Sequence, residues 1–214
     1  MNIKRLIGKN PLGKKLISQL SKDEVQNYWK NPNDPEFNSP ETYLESTTKN
    51  TQILLDIVND SLDKKEIKIL ELGCNVGRNI NKLFENGFKN LFAIEINSEA
   101  INLMKKSFPN TFSSTKIFES SIENKIKEFP DNEFDLVFSM AVLMHIHNDS
   151  DWIFQHIARI TKKNLIIMEN ENIKARKNFP RNYKNIFEKF GLKEKKSFNL
   201  EDGYICRIFS RQSS

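Results

Sequence analysis

Lys68-Ile-Leu-Glu-Leu-Gly-Cys-Asn-Val-Gly-Arg-Asn79 decides how this chain reads: an apolar run ends in an acidic residue, turns on two glycines and enters a helical pattern. That order describes a strand, a tight loop and a helix N-terminus. A glycine loop lets a ligand approach bare backbone, and the first N–H groups of the following helix lack partners within it. The stretch predicts a site for a small ligand with polar or anionic groups.

Outward from it, from Glu66 on, short apolar runs alternate with longer amphipathic segments, the signature of βαβ units and a mostly parallel sheet. Strands are expected at about 67–72, 91–96, 115–119, 134–140 and 164–169, with helices near 77–87, 98–107, 121–128 and 150–162. Gly87 sits where the first of these helices needs a C-cap. Residues 183–190 read as a helix stopped by Gly191, and 193–199 and 204–211 as two strands joined by Glu201-Asp-Gly203.

Upstream, Ser21-Lys-Asp-Glu24 carries a capping-box signature for a short helix bearing Tyr28 and Trp29. The three prolines within 31–40 demand a loop. Ser39-Pro-Glu-Thr42 then opens a helical region with Leu44, Ile53, Leu54, Ile57, Val58 and Leu62 on its apolar face. The expected organisation is a helical extension or lid over 1–62 and a ligand-binding domain over 63–214.

The chain's 214 residues suffice for one domain with a sizeable core. Cys74 and Cys206 do not make a disulfide framework, which suits a reducing cytoplasm. No apolar run approaches the roughly 20 residues of a membrane span, and MNIKRLIGKNPLGKK lacks a signal peptide's apolar core, so a soluble, cytoplasmic protein is expected. Net charge is +5, with basic clusters at Lys4, Arg5, Lys9, Lys14 and Lys15 and at Lys174, Arg176, Lys177, Arg181 and Lys184. Each reads either as solvated surface or as a face for an anionic substrate, nucleic acid or lipid.

The glycine spacing separates two kinds of nucleotide site. Counted from Gly73, a dinucleotide fingerprint wants glycines at 75 and 78, where this chain has Asn75 and Arg78; its second glycine is Gly77. Glu95 closes the next strand about 20 residues after the loop, where a carboxylate can accept from both hydroxyls of a ribose. A nucleoside is indicated more firmly than a diphosphate.

With these features in place, the chain resembles the class I S-adenosylmethionine-dependent methyltransferases. ILELGCNVGRN is similar to that family's first motif, IEINSEAI to its second, and FPDNEFDLVFSMAVLMHI to the region around its fourth strand. The resemblance covers roughly 65–170 and leaves the first 60 or so residues outside it. It implies a Rossmann-like α/β fold, a seven-stranded mostly parallel sheet with helices on both faces and an antiparallel C-terminal strand pair. It also implies S-adenosylmethionine as cofactor, leaving as S-adenosylhomocysteine. By resemblance, Glu71, Gly73, Cys74, Asn75 and Gly77 line the methionine half, Glu95 holds the ribose, and Ile96, Ser121 and Ile122 surround the adenine, with Met140 at the end of the fourth strand. Two residues depart from the family pattern. Asn75 replaces a common glycine, although Asn tolerates left-handed backbone, and Ser121 stands where an acidic residue often accepts from the adenine amino group, with Glu119, Glu123 or backbone as the alternative partners.

Methyl transfer from a sulfonium needs alignment, exclusion of water and removal of any acceptor proton, and needs no metal. His145, just beyond the fourth strand, is the candidate base, with a backbone-bonded structural histidine as the alternative. His147 and Asp149 are expected to cap the next helix, and His156 to pack or lie at the surface. Glu169, Arg176, Arg181 and Tyr183 are the candidate acceptor-binding groups on the far rim, with Tyr28 and Trp29 on a segment that either closes as a lid or simply packs. No DNA-type Asp/Asn-Pro-Pro-aromatic motif or nucleophilic cysteine stands in 141–147. The expected activity is methylation, at oxygen by preference, of a small, anionic or sugar-like acceptor by a monomer or homodimer, with nucleic acid not favoured. An RNA or protein methyltransferase using the basic clusters, and a non-catalytic cofactor-binding partner subunit, remain the alternatives.

Overall fold

The computed structural model describes residues 18–31, 38–46, 49–61 and 66–212. The first basic cluster and Leu62 lie outside the described residues.

Among the described residues, three helices precede the first strand: α1 (Lys22–Lys30), α2 (Pro40–Glu45) and α3 (Lys49–Ser61). Ser21 and Glu24 form the predicted capping box, and Ser39 caps α2 with Pro40 in its first turn. The helical region foreseen after Ser39 is therefore two helices. Then follow β1 (Ile69–Leu72), α4 (Arg78–Glu85), β2 (Leu91–Glu95), α5 (Ser98–Ser107), α6 (Pro109–Ser114), β3 (Thr115–Glu119), α7 (Ile122–Lys125), β4 (Phe134–Met140), α8 (Ile153–Ile160), β5 (Thr161–Glu169), α9 (Tyr183–Lys189), β6 (Leu192–Asn199) and β7 (Ile205–Arg211).

Most boundaries fall within a few residues of expectation, and the departures have local causes. Pro109 starts α6, a turn the sequence reading passed over. β5 begins three residues earlier than expected because the Thr161 hydroxyl closes α8 on the Ile157 carbonyl and the chain extends at once. α4 stops at Glu85, and Gly87, at φ 92, donates back to the Phe84 carbonyl.

The seven strands run in the order β3-β2-β1-β4-β5-β7-β6. The first five are parallel, while β7 runs antiparallel to both β5 and β6, matching the predicted Rossmann-like sheet with its antiparallel terminal pair. Alternating residues split the core in two. Leu70, Leu72, Val137 and Leu165 face α8 and α9 through Phe154, Ile157 and Phe187. Ile69, Ala93, Phe138 and Ile166 face the other layer, where α3 adds Leu54, Leu55 and Val58 and α4 adds Ile80 and Leu83. Cys74 and Cys206 are buried free thiols. β1 lies between β2 and β4, so the chain order reverses there and a crevice opens at the carboxyl ends of β1 and β4, where open α/β sheets bind ligands.

Candidate functional site

A cleft of about 1140 Å³, counted with its open mouth, occupies that crevice. The loop after β1 forms its floor. Gly73 sits at φ 71, and a Cβ there would stand 2.6 Å from a Val142 methyl, so backbone alone fits between β1 and the loop after β4. Asn75 takes φ 48, the left-handed conformation expected of it, and its side-chain oxygen accepts from Val76 N–H at 2.8 Å. Gly77, at φ 73, turns the chain into α4 without a side-chain cap.

Two carboxylates face this loop. Glu71 is 1% exposed; one oxygen accepts from the Asn79 amide at 2.7 Å, and the other, also buried, has no partner. The Thr51 hydroxyl donates in turn to Asn79 at 2.6 Å, tying α3 to the site. Burial pushes the Glu71 carboxyl up to about 8 despite the Asn79 bond. Glu95 accepts from Asn75 N–H at 2.7 Å with one oxygen and from Ile96 and Asn97 N–H at 2.8 Å with the other. Burial raises its pKa and these bonds oppose the rise. Each Glu95 oxygen can take more than one hydrogen bond, so the residue both fixes the loop and retains capacity for ligand hydroxyls.

Beyond Glu95 the cleft is lined by Ile96, Ser120, Ser121, Ile122 and Glu123. The Ser121 hydroxyl accepts from Asn124 N–H at 3.2 Å as the cap of α7, so its oxygen is engaged in the fold. Glu123 is a buried carboxylate on the same wall.

The opposite wall comes from the end of β4 and from α1. Met140, Ala141 and Val142 line it, with Ala141 forced to φ 57, a costly conformation for a residue with a Cβ. A 3₁₀ turn, Leu143–His145, then presents His145. His145 Nδ1 lies 2.9 Å from the Lys177 carbonyl, which requires a proton on Nδ1 and leaves Nε2 with its lone pair. Burial, with the Lys177 charge, lowers its pKa to about 4, so the ring is neutral at pH 7. Trp29 packs on it at 4.5 Å between centroids. The Lys177 ammonium lies over the Tyr28 ring and donates to the Tyr28 hydroxyl at 2.6 Å. Trp29, Val25, Gln26 and Tyr43 line the cleft, whereas Tyr28, edge-on to Trp29, does not.

The other candidate acceptor groups are placed elsewhere. Glu169 is fully buried beneath the loop after β4, with Ser139 Oγ and the N–H groups of Val142, Leu143 and Met144 donating to it. Arg181 is pinned by Asp151 at 2.6 Å and by the carbonyls of Ile146 and Phe179, so its guanidinium is consumed inside the fold. Tyr183 is a core ring against Phe154 and Phe187, and Arg176 is exposed outside the cleft. His147 caps the 3₁₀ turn Asn148–Ser150 rather than α8, and His156 packs edge-on against Trp152. Sequence reading missed Asn79 and Val142. Asn79 is a polar residue on the inner face of α4 one turn past the loop, and Val142 directly follows a strand end at the rim.

Among the described residues no group of His, Cys, Asp or Glu could hold a metal, and no helix is long and apolar enough to cross a membrane.

Residues 70–168 match the family of methyltransferase domains. With the sheet order and glycine loop described above, the chain has the Rossmann-like α/β fold of the class I S-adenosylmethionine-dependent methyltransferases. No curated protein gives a significant match to the sequence. Among solved structures, the magnesium protoporphyrin IX methyltransferase ChlM from Synechocystis PCC 6803, with bound S-adenosylhomocysteine, superposes with a TM-score of 0.72 at 12% identity, covering 90% of this chain and 100% of that one. An S-adenosylmethionine-dependent methyltransferase from Mesorhizobium loti gives 0.60 at 11% identity over 73% of this chain and 96% of that one. The [4+2]-cyclase SpnF gives 0.65 at 9% identity over 83% and 86%. At such identities these likenesses establish the fold, and the cyclase shows that the fold by itself does not dictate the reaction.

Proposed function

We propose that the cleft binds S-adenosylmethionine and that the protein methylates a small acceptor bearing a hydroxyl group. The observation that carries the cofactor assignment is the buried Glu71 oxygen without a partner. A carboxylate so placed calls for a cation, and the ammonium of the cofactor's methionine half meets that need beside Gly73 and Asn75. Glu95 would take the ribose hydroxyls and Ile96 and Ile122 the adenine faces. Glu123, rather than the capping Ser121, would accept from the adenine amino group. Bound there, S-adenosylmethionine supplies a methyl group on a good leaving group and departs as S-adenosylhomocysteine.

The chain's own part is alignment and proton removal. With Nδ1–H committed to the Lys177 carbonyl, Nε2 of His145 is the atom that receives the acceptor's hydroxyl proton. Trp29 shields that ring and Val142 packs from the wall against Gly73 of the floor, keeping water from the reacting centre. The second basic cluster gives an anionic acceptor little support, because Arg181 is consumed by Asp151 and Lys177 lies on Tyr28, while the cleft carries Glu71, Glu95 and Glu123 together with Arg78, which donates to Ser46. An uncharged hydroxyl compound fits these walls better. Calorimetry with S-adenosylhomocysteine tests the reading: one site per chain is expected, and the absence of binding overturns it.

A further inference from the structure

Glu169 departs most from its expected role. It was foreseen as an acceptor-binding group at the rim and instead lies at the end of β5, fully buried. One oxygen accepts from Ser139 Oγ at 2.6 Å and from Val142 and Leu143 N–H at 3.1 Å each, and the other from Met144 N–H at 3.1 Å. Three consecutive backbone N–H groups converging on one point form a nest of the kind that ordinarily receives an external anion. Here the chain fills it with its own carboxylate.

The loop held in this way is the acceptor wall. It begins at the strained Ala141, places the Val142 methyls where a Cβ on Gly73 would stand, and ends in the turn that carries His145. His145 N–H closes that turn on the Val142 carbonyl at 2.9 Å, and Phe179 N–H bonds the Met144 carbonyl at 2.8 Å. The second bond fastens the loop to the segment whose Lys177 carbonyl receives His145 Nδ1. The path from Glu169 to the imidazole therefore runs through hydrogen bonds and one short turn.

We propose that Glu169 is a positioning residue: by gathering the N–H groups of Val142, Leu143 and Met144 it fixes His145 in one orientation and one tautomer at the acceptor side. The proposal rests on the methyltransferase reading for its purpose, while its geometry can be tested separately. A residue that merely filled the core would change stability and leave the imidazole as it is.

The test is long-range proton–nitrogen NMR of the full chain labelled at histidine nitrogen, with the His145 signals assigned by their loss in His145→Ala. In the native protein His145 should show a protonated Nδ1 and a lone pair on Nε2. Glu169→Gln brings an amide N–H against the nest, so the loop should shift and His145 should move to a mixture of tautomers. A folded Glu169→Gln protein with native His145 signals overturns the proposal. Should that variant fail to fold, Ser139→Ala removes one donor alone; a smaller shift in the same signals supports the proposal, and unchanged signals overturn it. If the native protein shows the stated tautomer but binds no S-adenosylhomocysteine, the cofactor reading fails and the positioning geometry stands.

Discussion

The floor of the cleft and its acceptor wall are built differently. Gly73, Asn75, Gly77 and Glu95 come from two loops at adjacent strand ends, and their work is done by backbone conformation and by one carboxylate holding three N–H groups. Trp29, Val142, His145 and Lys177 come from three distant segments, and their polar groups are arranged by one another. On the floor, bonding capacity is left over at Glu71 and Glu95. On the wall, the cations and the N–H nest are already satisfied within the fold. The floor's unspent capacity suits a charged, hydrogen-bonding ligand, whereas on the wall it is confined to His145 Nε2 and the buried Trp29 indole N–H, and the rest of the surface offers shape.

The largest effect expected from this contrast lies at His145. Once an acceptor is in hand, His145→Ala should depress turnover about 10²-fold or more while S-adenosylmethionine affinity stays near native, as befits a base on the wall and not on the floor. Turnover near the native rate would end that role.

Arg181 separates a structural cation from a substrate clamp. Arg181→Ala strips five hydrogen bonds from a buried guanidinium and should cost ~3 kcal/mol of stability, read by denaturant unfolding. Arg176→Ala, at an exposed site, should fall within about 0.5 kcal/mol of native. A stable Arg181→Ala protein with weakened acceptor binding would reverse the assignment.

Glu71 gives the floor a pH dependence. Its carboxyl ionises near 4.5 in the unfolded chain and near 8 in the ligand-free fold. The folded state thus holds a proton that the unfolded chain has released, so the associated stability is complete below 4.5 and is lost as pH rises through about 8. The melting temperature without ligand should fall across that window, and Glu71→Gln should flatten the fall. The rise in melting temperature on adding cofactor should grow toward pH 8, because the ammonium requires the ionised carboxylate. A gain independent of pH would contradict the pairing.

The same contrast governs what could be read from the sequence. The floor was legible because residue type and spacing within 68–79, and then Glu95, specify a backbone path; Asn75 at positive φ is what its side chain permits. A mostly parallel sheet followed from the alternating runs, and its antiparallel terminal pair from the family resemblance. The wall was not legible, because the fate of Arg181 depends on Asp151 and the Ile146 carbonyl, 30 and 35 residues away, and that of Glu169 on N–H groups of a turn the sequence does not announce. Ser121 lines the cleft and also caps α7, a second use that a serine before a helix carries for a local reason.

Glu95 is where the central claim is most exposed, since it alone joins loop geometry to ligand recognition. Titration calorimetry of S-adenosylhomocysteine should show one site per native chain and a loss of about 10²-fold or more in Glu95→Ala, with circular dichroism confirming that the variant is folded. Equal affinity in the two folded proteins, or no binding by either, would contradict the account.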